Sequence, residues 1–280
     1  MIRGLYTATS GMLCETIRQD MIADNLANVD TAGFKRMVGI FKELPTMDVK
    51  RVNDGKLYPP RPHELYPKIG NLGTGVIVDE SVTDFTAGRF EHTEDEFDCA
   101  LENPKAFFLV QTPHGIRFTR DGNFTLDQEG YLKNMNGDYL LAEPEPPEAE
   151  NQTLLGEDGK PTFQFFRIKT EPGDRISFDD DGRVVINDAP QFKLLRGMAT
   201  DRKAFRKEGS NLFDRAYGDV KRASGEVKHG YLEKPNFSVV EEMVKMIEVQ
   251  RSYEANSKVI QAHDSMLDKA INTVGRPRGG

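Results

Sequence analysis

Cysteine is scarce in this chain. Cys14 and Cys99 are its two cysteines among 280 residues, and no CxxC spacing occurs. They read as ordinary thiols and not as a disulfide framework or a thiolate metal site. Long apolar runs are missing too: nothing approaches the roughly 18 apolar residues of a membrane-spanning helix. Basic excess is absent, since the net charge is -8, so the electrostatic footprint of a nucleic-acid binder is lacking. The hydrophobic fraction is 38% and the mean hydropathy -0.56, both low for one compact globule. The surplus polar surface is expected in loops, or in segments buried only within an assembly. The opening MIRGLYTATSGMLCE lacks the basic flank, apolar block and small-residue cleavage site of a secretory signal. Departure from the cytoplasm would need another route.

Signatures of catalysis are equally sparse. His63, His92, His114, His229 and His263 stand at no metal-ligand spacing with one another or with cysteine. No G-x-S-x-G elbow occurs. Gly70-Asn71-Leu72-Gly73-Thr74-Gly75 precedes strand-like residues, not the helix that a phosphate loop needs. Asp121 to Leu132 echoes a calcium loop but has Leu126 and Leu132 where Gly and Glu belong. The acidic run Asp179-Asp180-Asp181 reads as a solvated loop, and Glu241-Glu242 as a helix first turn. No catalytic, cofactor-binding or metal residue is therefore assigned.

What is present is an α+β order: helix, β-rich middle, helix. Between Gly4 and Asn28, Leu5, Leu13, Ile17, Met21, Ile22 and Leu26 recur mostly three or four apart, which predicts an amphipathic helix. Near the other end, Ser238 with Glu241 makes a capping box. Gly275 then Pro277 give the stop order. Between them Val239, Met246, Tyr253, Ile260, Leu267 and Val274 form an apolar column at every seventh position. That repeat predicts a coiled-coil-like helix on the order of 50 Å long. Its companion column, Met243, Gln250, Ser257, Asp264 and Ile271, is polar in the middle. The helix is therefore expected to pack among several neighbours or to face water in part.

The middle is expected to be strands. Phe107-Phe108-Leu109-Val110 and Ile116-Arg117-Phe118-Thr119 flank Pro113-His114-Gly115 as a hairpin. Asp121-Gly122, Asn136-Gly137 and Asp181-Gly182 read as further hairpin turns. Glu143 to Glu148 is acidic and proline-rich and reads as a loop. These features divide the chain into an N-terminal helix (1–35), a proline-bearing linker (36–72), a β-rich domain (73–235) and a C-terminal helix (236–280).

The sequence resembles the flagellar basal-body rod and hook family along nearly its whole length. The resemblance is carried by Leu5 to Met12, by Ala23-Asp24-Asn25-Leu26-Ala27-Asn28-Val29-Asp30-Thr31-Ala32-Gly33-Phe34-Lys35, and by Gly73 to Val76 with Asp84 to Gly88. It continues through Phe107-Phe108 with Phe118-Thr119-Arg120-Asp121-Gly122-Asn123-Phe124, Gly209 to Phe213, and Val240 to Ile247 with Gln250 to Lys258. Any one motif is weak; six in order are specific. Two departures stand out: Glu102 to Ala106 replaces the family's G-x-G before the two phenylalanines, and Pro235-Asn236 its S-N before the last helix.

The resemblance implies a structural subunit and not an enzyme. It implies export through the flagellar channel without a cleaved signal, and residence in the basal body across the periplasm. Partners would be copies of itself, other rod and hook proteins and the export apparatus, with no nucleic acid, small-molecule substrate or cofactor. The assembly residues it implies lie on the helices: Leu5, Leu13, Ile17, Met21, Leu26, Val240, Met243, Ile247, Tyr253, Ile260 and Leu267, of which Leu13, Ile17, Met243, Ile247 and Ile260 read also as packing the two helices within one subunit. Asn25, Asn28, Arg251 and Asn256 are the polar residues of the motifs, and Asn25, Asn28 and Asn256 read either as caps or backbone ties or as bonds across subunits. Chain length favours rod over hook, and Leu5-Tyr6-Thr7-Ala8 the proximal type. A hook or junction component, and a β-domain enzyme or sugar-binding module on a helical stalk, stay open as other readings. Helices without partners are marginal in water, so both ends are expected to order on assembly.

Overall fold

The computed structural model describes residues 2–50, 68–144, 153–155, 165–171, 174–199, 201 and 204–274. The chain divides into two compact units. One comprises Met1–Asp24, Met37–Val82 and Val240–Gly280; the other comprises Asn25–Arg36 and Thr83–Val239.

The first unit is helical with a β-ribbon. Helix α1 spans Ile2–Ala27 and helix α2 spans Val239–Val274, with Glu241 and Glu242 in its first turn beside the positive end of the dipole. At 36 residues, α2 is about 54 Å long. The ribbon pairs Met37–Glu43 with Val76–Thr83, and Met47–Lys50 with Lys68–Leu72. This differs from the expected linker over 36–72. Pro45 sits at the joint between the two ribbon segments, where its missing N–H costs no ladder bond. Pro59, Pro60, Pro62 and Pro67 lie outside the described residues. Alternation was hard to see because these strands bury little: Val38, Ile40, Phe41, Met47, Ile69 and Ile77 are all exposed.

The second unit is antiparallel β structure. Its main path runs Thr153–Leu155, Val220–Arg222, Arg196–Ala199, Phe107–Thr112, Tyr139–Pro144, Ala189–Leu194, Arg183–Ile186 and Ile176–Phe178. Gly115–Thr119 pairs with Phe107–Thr112 and with Leu212–Arg215. Strand Phe107–Thr112 explains its own sequence. Successive side chains of a strand alternate between faces. Phe108 and Val110 enter one apolar cluster with Phe124, Leu132 and Leu140. Phe107 and Leu109 enter another with Phe118, Phe205 and Phe213. A strand buried on both faces reads as the unbroken run Phe-Phe-Leu-Val.

The Asn136-Gly137 and Asp181-Gly182 turns close hairpins as expected, with Gly137 at φ 88° and Gly182 at φ 75°. A third tight turn lies at Asn187 and Asp188, which take φ 53° and 63°, as a two-residue turn with both centres left-handed requires. Asp121-Gly122 is not a hairpin turn. The strand before it pairs with Leu212–Arg215, and the strand after it, Phe124–Leu126, pairs with Leu132–Asn134. Here the chain crosses Cys99 so closely that a Cβ on Gly122 would lie 1.6 Å from the Cys99 carbonyl oxygen. Gly122→Ala should therefore destabilise by more than about 3 kcal/mol, in the severe tail for single substitutions. Thermal unfolding of the purified chain checks this; an unchanged midpoint would contradict it. Glu143 and Pro144, read as the start of a loop, end a strand, and 145–150 lie outside the described residues.

Candidate assembly surfaces

Within the β unit, three segments meet on one buried carboxylate. Glu233 Oε1 accepts from Lys35 Nζ at 2.7 Å and from the Gly88 N–H at 2.9 Å. Glu233 Oε2 accepts from Arg120 Nε at 2.8 Å. Arg120 Nη1 also donates to the Asn103 and Ala106 carbonyls, and Lys35 Nζ to the Thr86 carbonyl. All three charged side chains are nearly inaccessible. Burial would raise the Glu233 carboxyl, but the Arg120 and Lys35 charges outweigh it and hold it below its ordinary value. Burial lowers the Lys35 ammonium, with Glu233 opposing. Gly33 makes the approach possible: it sits at φ 67°, its N–H donates to the Glu233 carbonyl at 2.7 Å, and a Cβ there would meet the Arg120 carbonyl carbon at 2.3 Å.

Asn236 completes this closure. Its Oδ1 accepts from the Arg36 N–H at 3.0 Å, and its Nδ2 donates to the Asp84 carbonyl and to Thr86 Oγ1. Phe34 packs edge-on against Phe237, with Lys207 Nζ 3.7 Å from its ring centroid. The stretch Gly33-Phe34-Lys35, assigned from sequence to the N-terminal helical segment, thus belongs to the closure of the β unit. Lys35, Arg120, Glu233 and Asn236 were not singled out from sequence as functional. The signal was there only as two motif fragments, around Gly33 and around Arg120, with nothing to show that they meet.

A second buried acid lies in the same unit. Asp121 accepts from the Asn123 N–H at 3.0 Å and from Asn211 Nδ2 at 2.7 Å. Burial pushes its carboxyl up to about 6; Asp98 adds to this and the two hydrogen bonds oppose it. The unfolded value is about 3.9, so the folded chain keeps a proton that the unfolded chain releases. Stability from that proton is complete below about pH 4 and is lost as pH rises through about 6. Denaturant titrations from pH 4 to 7 should show wild type losing up to about 3 kcal/mol relative to Asp121→Asn over that window. Parallel curves would contradict it.

The helical unit presents a different surface. One face of α1 meets α2 antiparallel: Gly4 lies at His263, Gly11 at Asn256, and Glu15 Oε1 accepts from Ser252 Oγ at 2.9 Å. A second face meets the ribbon, where Ser10 Oγ accepts from the Val76 N–H and Cys14 Sγ donates to the Val76 carbonyl. The third face is apolar and uncovered, carrying Tyr6, Leu13 (62% exposed) and Ile17. On α2, Val240 (70% exposed), Met243, Val244 and Ile247 (50% exposed) follow one another at helical spacing. Among the described apolar residues of this unit only Ala8, Cys14, Ile22 and Val249 are buried.

The residues assigned from sequence separate accordingly. Leu13, Ile17, Val240, Met243, Ile247, Tyr253 and Arg251 are exposed. Leu5, Met21, Leu26, Ile260, Leu267, Asn28 and Asn256 are half-buried, and Asn25 is buried. Thr31 Oγ1 donates to Asn28 Oδ1 at 3.3 Å, inside the turn after α1. The face of α2 turned to α1 carries Ser252, Asn256 and His263, with Val249 buried nearby; in the seven-residue column Met246, Ile260 and Leu267 are half-buried and Tyr253 is exposed. Apolar spacing does not mark this contact, because Ser252, Asn256 and His263 are polar.

The segments described here coincide with known families. The model for flagella basal body rod protein matches residues 5–35. That for the flagellar hook protein FlgE/F/G D1 domain matches 103–186, and that for the flagellar basal body rod FlgEFG protein C-terminal matches 228–273. The flagellar hook-basal body complex protein FlhO of Bacillus subtilis is 30% identical, with 99% of this chain and all of that protein aligned. The flagellar basal-body rod protein FlgG of Buchnera aphidicola is 32% identical over 96% of this chain and 98% of its own. The flagellar basal-body rod protein FlgF of Caulobacter vibrioides is 26% identical over 99% of both.

Proposed function

The chain belongs to the flagellar basal-body rod family, of FlgF/FlgG type and structural, not enzymatic, and from that premise we propose that it polymerises through its terminal helices into the tubular rod. The observation that carries this reading is the uncovered apolar surface of the helical unit. A fully buried Leu, Ile, Val or Met stabilises by roughly 1.5–3 kcal/mol over an exposed one. Tyr6, Leu13 and Ile17 on α1, and Val240, Met243, Val244 and Ile247 on α2, forgo that gain in one chain. Helices of neighbouring copies would supply it, in coiled-coil-like packing, through head-to-tail contacts that do not close and so build a helical tube. Asn25, Asn28, Arg251 and Asn256 would hold helix ends and orientations and contribute little of the apolar burial.

In this reading the partners are copies of the chain and adjoining rod and hook proteins. The chain reaches the periplasm through the flagellar export apparatus. A proximal position rests on the Leu5-Tyr6-Thr7-Ala8 opening alone, and relatives named FlgG and FlgF both align along nearly the full length. The test is to delete the gene in the source bacterium and to quantify the protein in purified wild-type basal bodies. Loss of rod completion in the deletion, with the protein in the rod fraction, is expected. Its presence in the hook fraction alone, or an intact rod in the deletion, would overturn the reading.

A further inference from the structure

Two glycines interrupt the helical unit's longest-range contact in a regular way. Glycine inside a helix costs propensity relative to any ordinary side chain, so Gly4 and Gly11 in α1 need a reason. The structure supplies one at each. A Cβ on Gly4 would lie 2.5 Å from His263 Nε2, and a Cβ on Gly11 would lie 3.0 Å from Asn256 Nδ2. Seven residues separate the glycines, and seven separate Asn256 from His263. Four residues beyond Gly11, Glu15 Oε1 accepts from Ser252 Oγ, which lies four before Asn256. All three pairs obey one antiparallel register.

The chemistry of this seam differs from the rest of the helix surfaces. Apolar side chains can slide past one another by a turn with little loss, because dispersion and burial are not directional. A polar side chain seated over a missing Cβ slides less freely, since a one-turn slip would press Asn256 or His263 against a full side chain and part Glu15 from Ser252. A single polar position at a helix seam is known to fix register at a cost in stability. Here the cost is visible: His263 Nδ1 is buried with no hydrogen-bond partner among the described residues.

We infer that Gly4–His263, Gly11–Asn256 and Glu15–Ser252 are a register lock: positioning pairs that fix how α1 lies along α2 within one chain. The exposed apolar stripes are left to neighbouring subunits. This assigns Asn256 the intrachain role, one of the two that the sequence left open. The lock rests on the structure of the helical unit; its functional readout rests on the rod reading.

The test is allele-specific rescue with the full chain expressed in the deletion strain, scored by swimming and by protein level on an immunoblot. Gly11→Leu should abolish swimming although leucine is the better helix former, and Gly4→Leu should do the same. Asn256→Gly should restore swimming to Gly11→Leu and not to Gly4→Leu. His263→Gly should restore Gly4→Leu and not Gly11→Leu. Gly11→Ala, the milder intrusion, should lower swimming partly, with full-length protein retained, which covers the case of Gly11→Leu being degraded. Normal swimming of Gly11→Leu, rescue by neither partner, or rescue by either partner indiscriminately would overturn the lock. If the deletion strain itself swims normally, the rod reading fails, and the same rescue pattern is then sought in thermal unfolding of the purified variants. There the crossed pattern would still support the lock and its absence would overturn it.

Discussion

Glu233→Gln should cost the β unit about 3–5 kcal/mol, as removal of one member of a buried charge cluster does. The variant keeps nearly the shape of the side chain, so packing is not what is lost. It leaves the Lys35 ammonium and the Arg120 guanidinium buried with no carboxylate between them. The amide that replaces it turns donor hydrogens toward donors or surrenders the Gly88 N–H contact. Arg120 retains its bonds to the Asn103 and Ala106 carbonyls, so it cannot swing out to water. Lys35→Met removes one cation and leaves the Arg120–Glu233 pair intact, so it should cost less. Denaturant unfolding of both variants checks the order; equal or smaller loss in Glu233→Gln would contradict the central place given to the carboxylate. Because the Glu233 carboxyl is held below its ordinary value, its contribution is present above about pH 4.5 and fades as pH falls below that.

Ile247→Asp and Leu13→Asp should abolish assembly while leaving monomer stability within about 0.5 kcal/mol, the usual range for exposed substitutions. Both side chains are open to water in the single chain, so a carboxylate there meets no desolvation until a neighbour covers it. On assembly the same carboxylate would be buried without a partner, at a cost of several kcal/mol per contact. That penalty recurs at every subunit along a filament. Leu126→Asp is the matched control: Leu126 is 39% exposed and belongs to the β unit, not to a helix stripe. Swimming and rod yield should vanish for the first two and persist for the third. Assembly of Ile247→Asp at wild-type level would remove that stripe from the interface.

The two helices were legible because each repeats its apolar residues at helical spacing, with Ser238 and Glu241 marking the start of α2. The doubly buried strand was legible as Phe107-Phe108-Leu109-Val110. The ribbon was not. Its partners are separated by the stretch 51–67, and its apolar residues stay exposed, so no buried face imposed clean alternation. The closure of the β unit was legible only in fragments. Lys35 and Glu233 stand far apart in sequence, and a charged pair leaves no periodic trace. Gly33 was visible as part of a turn-prone cluster, but its need for a bare Cα arises from Arg120, which only the fold brings near. The contact of α2 with α1 left no apolar trace, because Ser252, Asn256 and His263 are polar.

The most direct measurement is amide hydrogen exchange on the verified monomer and on the assembled rod. Strands Phe107–Thr112 and Leu132–Asn134 are largely buried in the β unit and should be slow in both. If the helical unit gains its core from neighbours, α1 and α2 should exchange quickly in the monomer and become protected on assembly. Helices as strongly protected in the monomer as those strands would contradict this, and would show that the helical unit is complete within one chain.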